Sequence, residues 1–222
     1  MSDRGDWCTV SEEREKRLAA QAAALLVEDG MRVGLGTGTT VSYLLPALAA
    51  RELSIRCVAT SEQTASAAAG LGLTVEPFST LNELDIAIDG ADQIAPDGWL
   101  VKGGGGAHAR EKIVAAAADR FVVIADSTKP VVRLHPPIPL ELLAFGIQAT
   151  LRHLGEVTLR GAPPSPDGGI IADYQAPFDD PAALAARLAA TPGVTSHGLF
   201  GPGLVSVILI ARGQDVEQRA LT

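Results

Sequence analysis

Over much of this chain the apolar residues come in short unbroken runs, not in strict alternation. The runs at 31–35, 55–59, 84–88 and 121–125 have the length of strands buried on both faces, as a parallel sheet requires. Segments with helical spacing lie between them. Thr9 and Glu12 have capping-box spacing, which predicts a first helix over 10–28 stopped by Gly30. A second helix follows Thr40; Pro46 sits inside it and predicts a kink or a restart. An alanine-rich helix ends near Gly70 and Gly72, and another runs from the glycine-rich stretch after Lys102 to about Arg120. Shorter strands are expected at 73–77 and, after the Pro96-Asp97-Gly98 turn signal, at 99–101. Strands alternating with helices, with almost no period of two, predict an α/β fold: a Rossmann-like parallel sheet with helices on both faces.

The texture changes after Lys129. Pro130, Pro136, Pro137 and Pro139 cluster and suggest a domain crossing. Beyond it the pattern predicts a helix over 140–154, a hairpin of 156–160 with 169–174, a helix over 181–190, and strands at 194–199 and 204–211. This reads as a smaller α+β, ferredoxin-like domain. The expected division is 1–130 with about 206–222 for the catalytic α/β domain, and 131–205 for the small domain, a candidate oligomer contact. No internal repeat is visible.

Composition narrows the function. Eighteen Lys and Arg against 26 Asp and Glu give a net charge of −8, which argues against general binding to nucleic acid or an anionic membrane. With 47% hydrophobic and 20% charged residues the chain is no disordered tail. Cys8 and Cys57 fit neither a disulfide framework nor a metal spacing, which suits a reducing compartment. The first twenty residues are too acidic for a targeting peptide, and no apolar run approaches membrane-spanning length. A soluble, cytoplasmic protein is expected.

Three glycine-rich polar segments each follow an apolar strand: 34–40, 89–92 and 102–106. In a parallel α/β sheet the carboxyl ends of the strands line one edge, where ligands bind, so all three are expected around one pocket. In "GLGTGTT" the glycines admit an anion close to the backbone, and Thr37, Thr39 and Thr40 add hydroxyl donors. A tight turn with a threonine cap is the plain alternative. The spacing lacks the third glycine of a dinucleotide site and the Lys of a P-loop, so a single phosphate fits best. "DGADQI" sets Asp89 and Asp92 around Gly90 and Ala91, either as a pair acting on one substrate or as a turn with Asp92 capping a helix. No third ligand stands nearby to complete a metal shell. "KGGGGAHAREK" carries four successive glycines, which are entropically costly to order and suit a backbone that must hug a ligand. Lys102 stands at the entrance of that loop and Glu111 about one turn into the helix after it. Apolar helix neighbours would raise the Glu111 carboxyl pKa, while the helix start, Arg110 and Lys112 would lower it. A solvated helix charge is the plain reading of Glu111, and His108 reads as a surface or loop residue.

Taken in order, "GLGTGTT", "TSEQT", "DGADQI", "KGGGGAHAREK" and "FVVIADSTK" resemble the ribose-5-phosphate isomerase type A family, over nearly the whole chain from Lys16 and most closely between Gly34 and Lys129. The resemblance implies an aldose–ketose isomerase of the pentose phosphate pathway that works through an enediolate, without metal or other cofactor. It implies a substrate-binding threonine loop at Thr37, Gly38, Thr39 and Thr40, and an aspartate loop at Asp89, Gly90, Ala91 and Asp92. It further implies a lysine–glycine loop at Lys102, Gly103, Gly104 and Gly105, a general base at Glu111, and substrate-binding lysines at Lys129 and Lys16. Asp89, Asp92 and Lys102 would share the catalytic work with Glu111. The partner is then a small sugar phosphate, and the assembly a homodimer or homotetramer. The sequence departs from the family pattern at Gln93, where an acid is usual, at Pro46, in a shortened stretch at 135–139, and in its first eight residues. The competing readings are a non-catalytic sugar-phosphate sensor and another enzyme of related fold, such as a sugar-phosphate deaminase or a CoA transferase.

Overall fold

In the computed structural model, residues 5–221 are described. The chain runs α1 (Gly5–Ala24), β1 (Arg32–Leu35), α2 (Thr39–Ala49), β2 (Arg56–Ala59), α3 (Glu62–Gly70), β3 (Thr74–Val75), β4 (Ile86–Gly90), β5 (Gln93–Ile94), β6 (Leu100–Val101), α4 (His108–Ala116) and β7 (Phe121–Ala125). It continues with β8 (Ile138–Leu142), α5 (Ile147–Leu154), β9 (Val157–Leu159), β10 (Ile170–Tyr174), α6 (Pro181–Ala189), β11 (Val194–His197), β12 (Leu199–Phe200), β13 (Val207–Arg212) and β14 (Asp215–Ala220). The contacts divide these elements into two compact units. The first holds the described residues up to Gly90, Ile113–Lys129 and those from Gly203 on; the second holds Ala91–Lys112 and Pro130–Pro202.

The first unit is built on a seven-stranded sheet of order β14-β13-β7-β4-β1-β2-β3. All neighbours are parallel except the β13–β14 hairpin. Continuous apolar strands make this arrangement stable: all of β7 is buried, and so are the first four residues of β4. Ala19, Ala20 and Ala23 of α1 and Val41, Leu44 and Leu48 of α2 pack on Val33, Leu35, Ile88 and Ile124 of the sheet. Arg32 and Asp85 clamp the amino ends of β1 and β4. The Arg32 N–H, Nε and Nη2 all donate to the Asp85 carboxylate, at 2.6, 3.1 and 2.7 Å.

In the second unit β8-α5-β9-β10-α6-β11 forms a four-stranded antiparallel sheet of order β11-β8-β10-β9. That is the ferredoxin-like split β-α-β arrangement. Its core joins Ile138, Leu140 and Leu142 of β8 to Leu184 and Leu188 of α6. A separate three-stranded sheet, β12-β6-β5, completes the unit.

The fold class is the expected one, and several elements differ. The first helix already runs at Gly5, so Thr9 lies within it and is not its cap; it ends at Ala24, where Leu26 and Val27 turn back onto Ala23 and Ala24. Pro46 sits inside one continuous α2, and its carbonyl still accepts from the Ala50 N–H. The helix expected over 140–154 begins only at Ile147. The stretch before it is β8, whose alternating Ile138, Leu140 and Leu142 satisfy a sheet core that a helix could not reach. The expected strand 194–199 is split at Gly198 into β11 and β12, which join different sheets. Segment 91–112 packs with the second unit, because β5 pairs with β6 and β6 with β12.

The Arg32–Asp85 clamp gives a pH signature. Hydrogen bonds from Arg32 hold the Asp85 carboxyl at about 2, below its ordinary value. A depressed carboxyl stabilises the fold above its unfolded pKa, and that contribution fades as pH falls through the folded value. Asp85→Asn should therefore lower Tm at pH 7, with the gap to wild type closing between pH 4 and pH 2. Thermal melts across that range check it; a pH-independent gap would contradict it.

Candidate active site

The first unit brings two of the expected motifs together. β1 and β4 are parallel neighbours, and their carboxyl ends carry the threonine loop and Asp89. Asp89 is buried, and its Oδ1 accepts the N–H groups of Thr37 at 3.2 Å and Gly90 at 2.7 Å. Gly36 passes so close that a Cβ there would lie 1.9 Å from the Asp89 carboxyl carbon. Only glycine lets the loop cross this carboxylate. α2 starts at Thr39 with Gly38 as its N-cap and no side-chain cap bond, so the threonines are not there as a helix cap. Gly38 and Thr39 are exposed and Thr40 is buried. A cleft of about 280 Å³ beside the loop is lined by Gly38, Thr39, Ser42, Leu45, Gln63, Thr64 and Ala67.

Behind this loop lies a hydroxyl cluster that sequence reasoning left without a role. The Thr37 Oγ1 lies 2.7 Å from that of Thr60, 2.9 Å from the Ser61 Oγ and 3.4 Å from the Thr64 Oγ1. Thr64 donates to the Gly36 carbonyl at 3.0 Å, and Ser61 caps α3 by accepting the Thr64 N–H. The signal was the run "TSEQT" at the carboxyl end of β2, next to β1 in the sheet.

β7, the neighbour of β4 on its other side, is followed by Asp126, which is fully buried. The Lys16 ammonium on α1 lies 3.9 Å from Asp126 and 4.0 Å from Glu12. Lys129 is half-buried in the turn that follows, its N–H donating to the Asp126 carbonyl at 3.3 Å.

The second unit holds the rest of the expected residues. The glycine loop follows β6, which belongs to the small antiparallel sheet. It therefore does not leave a strand of the parallel sheet, as the three-loop reading supposed: β6 is two residues long and pairs only with β5 and β12. The Lys102 N–H donates to the Gly198 carbonyl at 2.8 Å, fixing the loop entrance. The Lys102 ammonium lies 3.2 Å from the Glu111 Oε2, and the two side chains are only 3% and 4% exposed. Glu111 is thus no solvated helix charge. It sits in the first turn of α4, where the helix dipole favours a carboxylate. Asp92 receives the Gly104 N–H on its Oδ2 at 2.8 Å, tying the aspartate loop to the glycine loop.

His108 was expected at the surface and is completely buried. A Cβ on Gly103, whose φ is +103°, would fall 2.8 Å from its Nδ1, so the ring and the loop fill one space. Burial, with the Lys112 charge behind it, drops the His108 pKa to about 4, which keeps the ring neutral at pH 7. Lys112 donates to the His197 carbonyl at 2.6 Å, and burial lowers its pKa to about 8. The Phe200 ring lies 5.5 Å from the Lys102 ammonium and 4.8 Å from that of Lys112. Neither His108 nor Lys112 stood out in the sequence, because burial decides their state. Among the described residues no group of three or more His, Cys, Asp or Glu is placed to hold a metal ion, and no helix is long and apolar enough to cross a membrane.

Residues 56–215 match the family model of ribose 5-phosphate isomerase A (phosphoriboisomerase A). The chain belongs to that family. A ribose-5-phosphate isomerase A of Roseiflexus castenholzii is 46% identical over 88% of this chain and 91% of its own length. The crystal structure of ribose 5-phosphate isomerase A from Neisseria gonorrhoeae superposes with a TM-score of 0.91 at 30% identity, covering 95% of this chain and 98% of that one. A D-ribose-5-phosphate isomerase solved in complex with phospho-erythronic acid gives 0.89 at 29% identity, covering 94% and 99%.

The crowding at Gly36 makes a sharp prediction for this family member. Gly36→Ala must push the Asp89 carboxylate from its place. Isomerase activity should fall by about 10²-fold, the scale of a misplacement near 1 Å. Steady-state kinetics on folded variant protein check it, and activity near wild type would contradict it.

Proposed function

We propose that this protein interconverts D-ribose 5-phosphate and D-ribulose 5-phosphate, with Glu111 as the general base. The observation that carries the assignment of the base is the buried Glu111 carboxylate beside the Lys102 ammonium, at the foot of a four-glycine loop. Isomerisation moves one proton from carbon 2 to carbon 1 and one from the oxygen on carbon 2 to that on carbon 1. It needs a single carboxylate and stabilisation of the intervening enediolate. Glu111 takes the carbon-bound proton from the open-chain aldose and returns it to carbon 1. Lys102 and the N–H groups of Gly103 and Gly105 stabilise the oxyanion, while the Gly104 N–H is held by Asp92. Asp89 and Asp92, with Gly90 and Ala91 between them, bind sugar hydroxyls and serve ring opening and proton exchange between the oxygens. Thr37, Gly38, Thr39 and Thr40, aided by Lys16 and Lys129, hold the phosphate and so position the reacting end. No step calls for a redox cofactor or a metal.

A sugar-phosphate sensor would need a phosphate loop without a buried base. Family membership and the Lys102–Glu111 pair favour the enzyme. The cytoplasm is the compartment that suits a phosphorylated sugar and a free buried thiol at Cys57. A homodimer or homotetramer would cover exposed apolar side chains of the second unit, such as Phe145, which is 94% exposed.

Ribulose 5-phosphate formation from ribose 5-phosphate in the presence of EDTA tests the reading. Wild type should turn over. Binding without turnover would identify a sensor, and loss on chelation a metal enzyme. Glu111→Gln should lose at least about 10²-fold in kcat, the low end for general-base catalysis. Lys102→Ala should lower kcat as well. Near-normal kcat in either variant would contradict the role given to that residue.

A further inference from the structure

Arg160, the residue after β9, reaches across to the glycine loop. Its Nη1 donates to the carbonyl oxygens of both Gly103 and Gly104, each at 3.0 Å. Its Nε and Nη2 donate to the two oxygens of Asp173 on β10, at 2.8 and 2.7 Å. Its backbone N–H is also tied, to the Ile171 carbonyl at 2.9 Å, so the side chain springs from a fixed point on the ferredoxin-like sheet. The Arg160 and Asp173 side chains are 21% and 15% exposed, so the pair is partly shielded from water.

The geometry has a direct consequence for the loop. In a trans peptide the C=O and the N–H point in opposite directions. Holding the Gly103 carbonyl on Arg160 sends the Gly104 N–H the other way, where Asp92 accepts it at 2.8 Å. Holding the Gly104 carbonyl likewise turns the Gly105 N–H away from the guanidinium. Consecutive glycines are costly to order. The Gly106 N–H on the Gly103 carbonyl and Asp92 on the Gly104 N–H hold part of the loop, and Arg160 alone among these also holds the Gly104 carbonyl. A planar guanidinium with several donors can brace a carboxylate and still serve two carbonyls; a lysine cannot.

We propose that the Arg160–Asp173 fork is a positioning device for catalysis: it ties down the Gly103 and Gly104 carbonyls so that Lys102 and the loop N–H groups not taken by Asp92, that of Gly105 above all, are preorganised for the oxyanion. This rests on the role given above to the glycine loop. Arg160 itself touches no reacting atom. Its effect belongs to the transition state, because the loop donors matter most when negative charge develops.

Arg160→Met, checked for fold by circular dichroism, is the test. The expected result is a fall in kcat of about tenfold or more with KM changed by less than about threefold, below the loss for removing an oxyanion donor outright. Phospho-erythronic acid, whose carboxylate resembles the enediolate, should inhibit more weakly by the same factor as kcat, while inhibition by inorganic phosphate stays unchanged. Wild-type kcat in folded Arg160→Met would overturn the proposal. So would a parallel loss in kcat, KM and phosphate inhibition, which a merely structural role would give. Should Arg160→Met fail to fold, Asp173→Asn decides. It keeps the volume but weakens the fork, and should lower kcat at unchanged KM; unchanged kcat would overturn the proposal. Failure of the underlying mechanism looks different: Glu111→Gln and Lys102→Ala would then keep their turnover whatever Arg160→Met does.

Discussion

A carboxylate and an ammonium held 3.2 Å apart, both almost fully withdrawn from water, set the requirements for everything around them. Desolvating two such ions costs on the order of several kcal/mol each, and their attraction offsets that cost only when the geometry is closely held. The surrounding chain supplies that geometry. The Gly198 carbonyl anchors the Lys102 backbone, the start of α4 presents Glu111, and the Phe200 ring lies against the lysine. Apolar residues of similar size would serve stability as well or better. In the mechanism proposed above, this buried pair beside a loop of bare peptide groups serves chemistry and not stability.

The parallel sheet of the first unit answers a different need. β1, β4 and β7 are adjacent, and each is followed by or ends in a polar segment at the same edge of the sheet. Asp89 is gripped by backbone N–H groups on one side and crowded by Gly36 on the other, so its carboxylate has one place to be. The hydroxyls of Thr60, Ser61 and Thr64 stiffen the threonine loop from behind. Rigid elements carry the loops, and the loops line the edge at which α/β sheets bind ligands.

Much of this was legible in the residues themselves. Apolar runs marked the parallel strands because burial on both faces leaves no polar positions. The glycine-rich motifs marked the loops because only glycine permits such close backbone approaches. What stayed hidden has physical reasons. The last three residues of β8 fall within the helix expected over 140–154, because Pro139 and the prolines before it mask the alternation of Ile138, Leu140 and Leu142. β14 is exposed at most of its positions and leaves almost no hydrophobic trace; it exists because β13 offers it a free edge. β5 and β6 are two-residue strands, too short for any periodicity. His108, Lys112 and Arg160 act through partners far along the chain, so their surroundings, and not their identity, give them meaning.

The central claim is that the proton moving between carbon 1 and carbon 2 travels by way of the Glu111 carboxylate. The most direct measurement follows ribulose 5-phosphate by NMR in D2O with wild type and with the glutamine variant at position 111. Wild type should exchange one of the two carbon-1 hydrogens for deuterium, stereospecifically, while the variant exchanges neither on the same timescale. Isomerisation by wild type with no deuterium entering carbon 1, or undiminished exchange in the variant, would contradict the account.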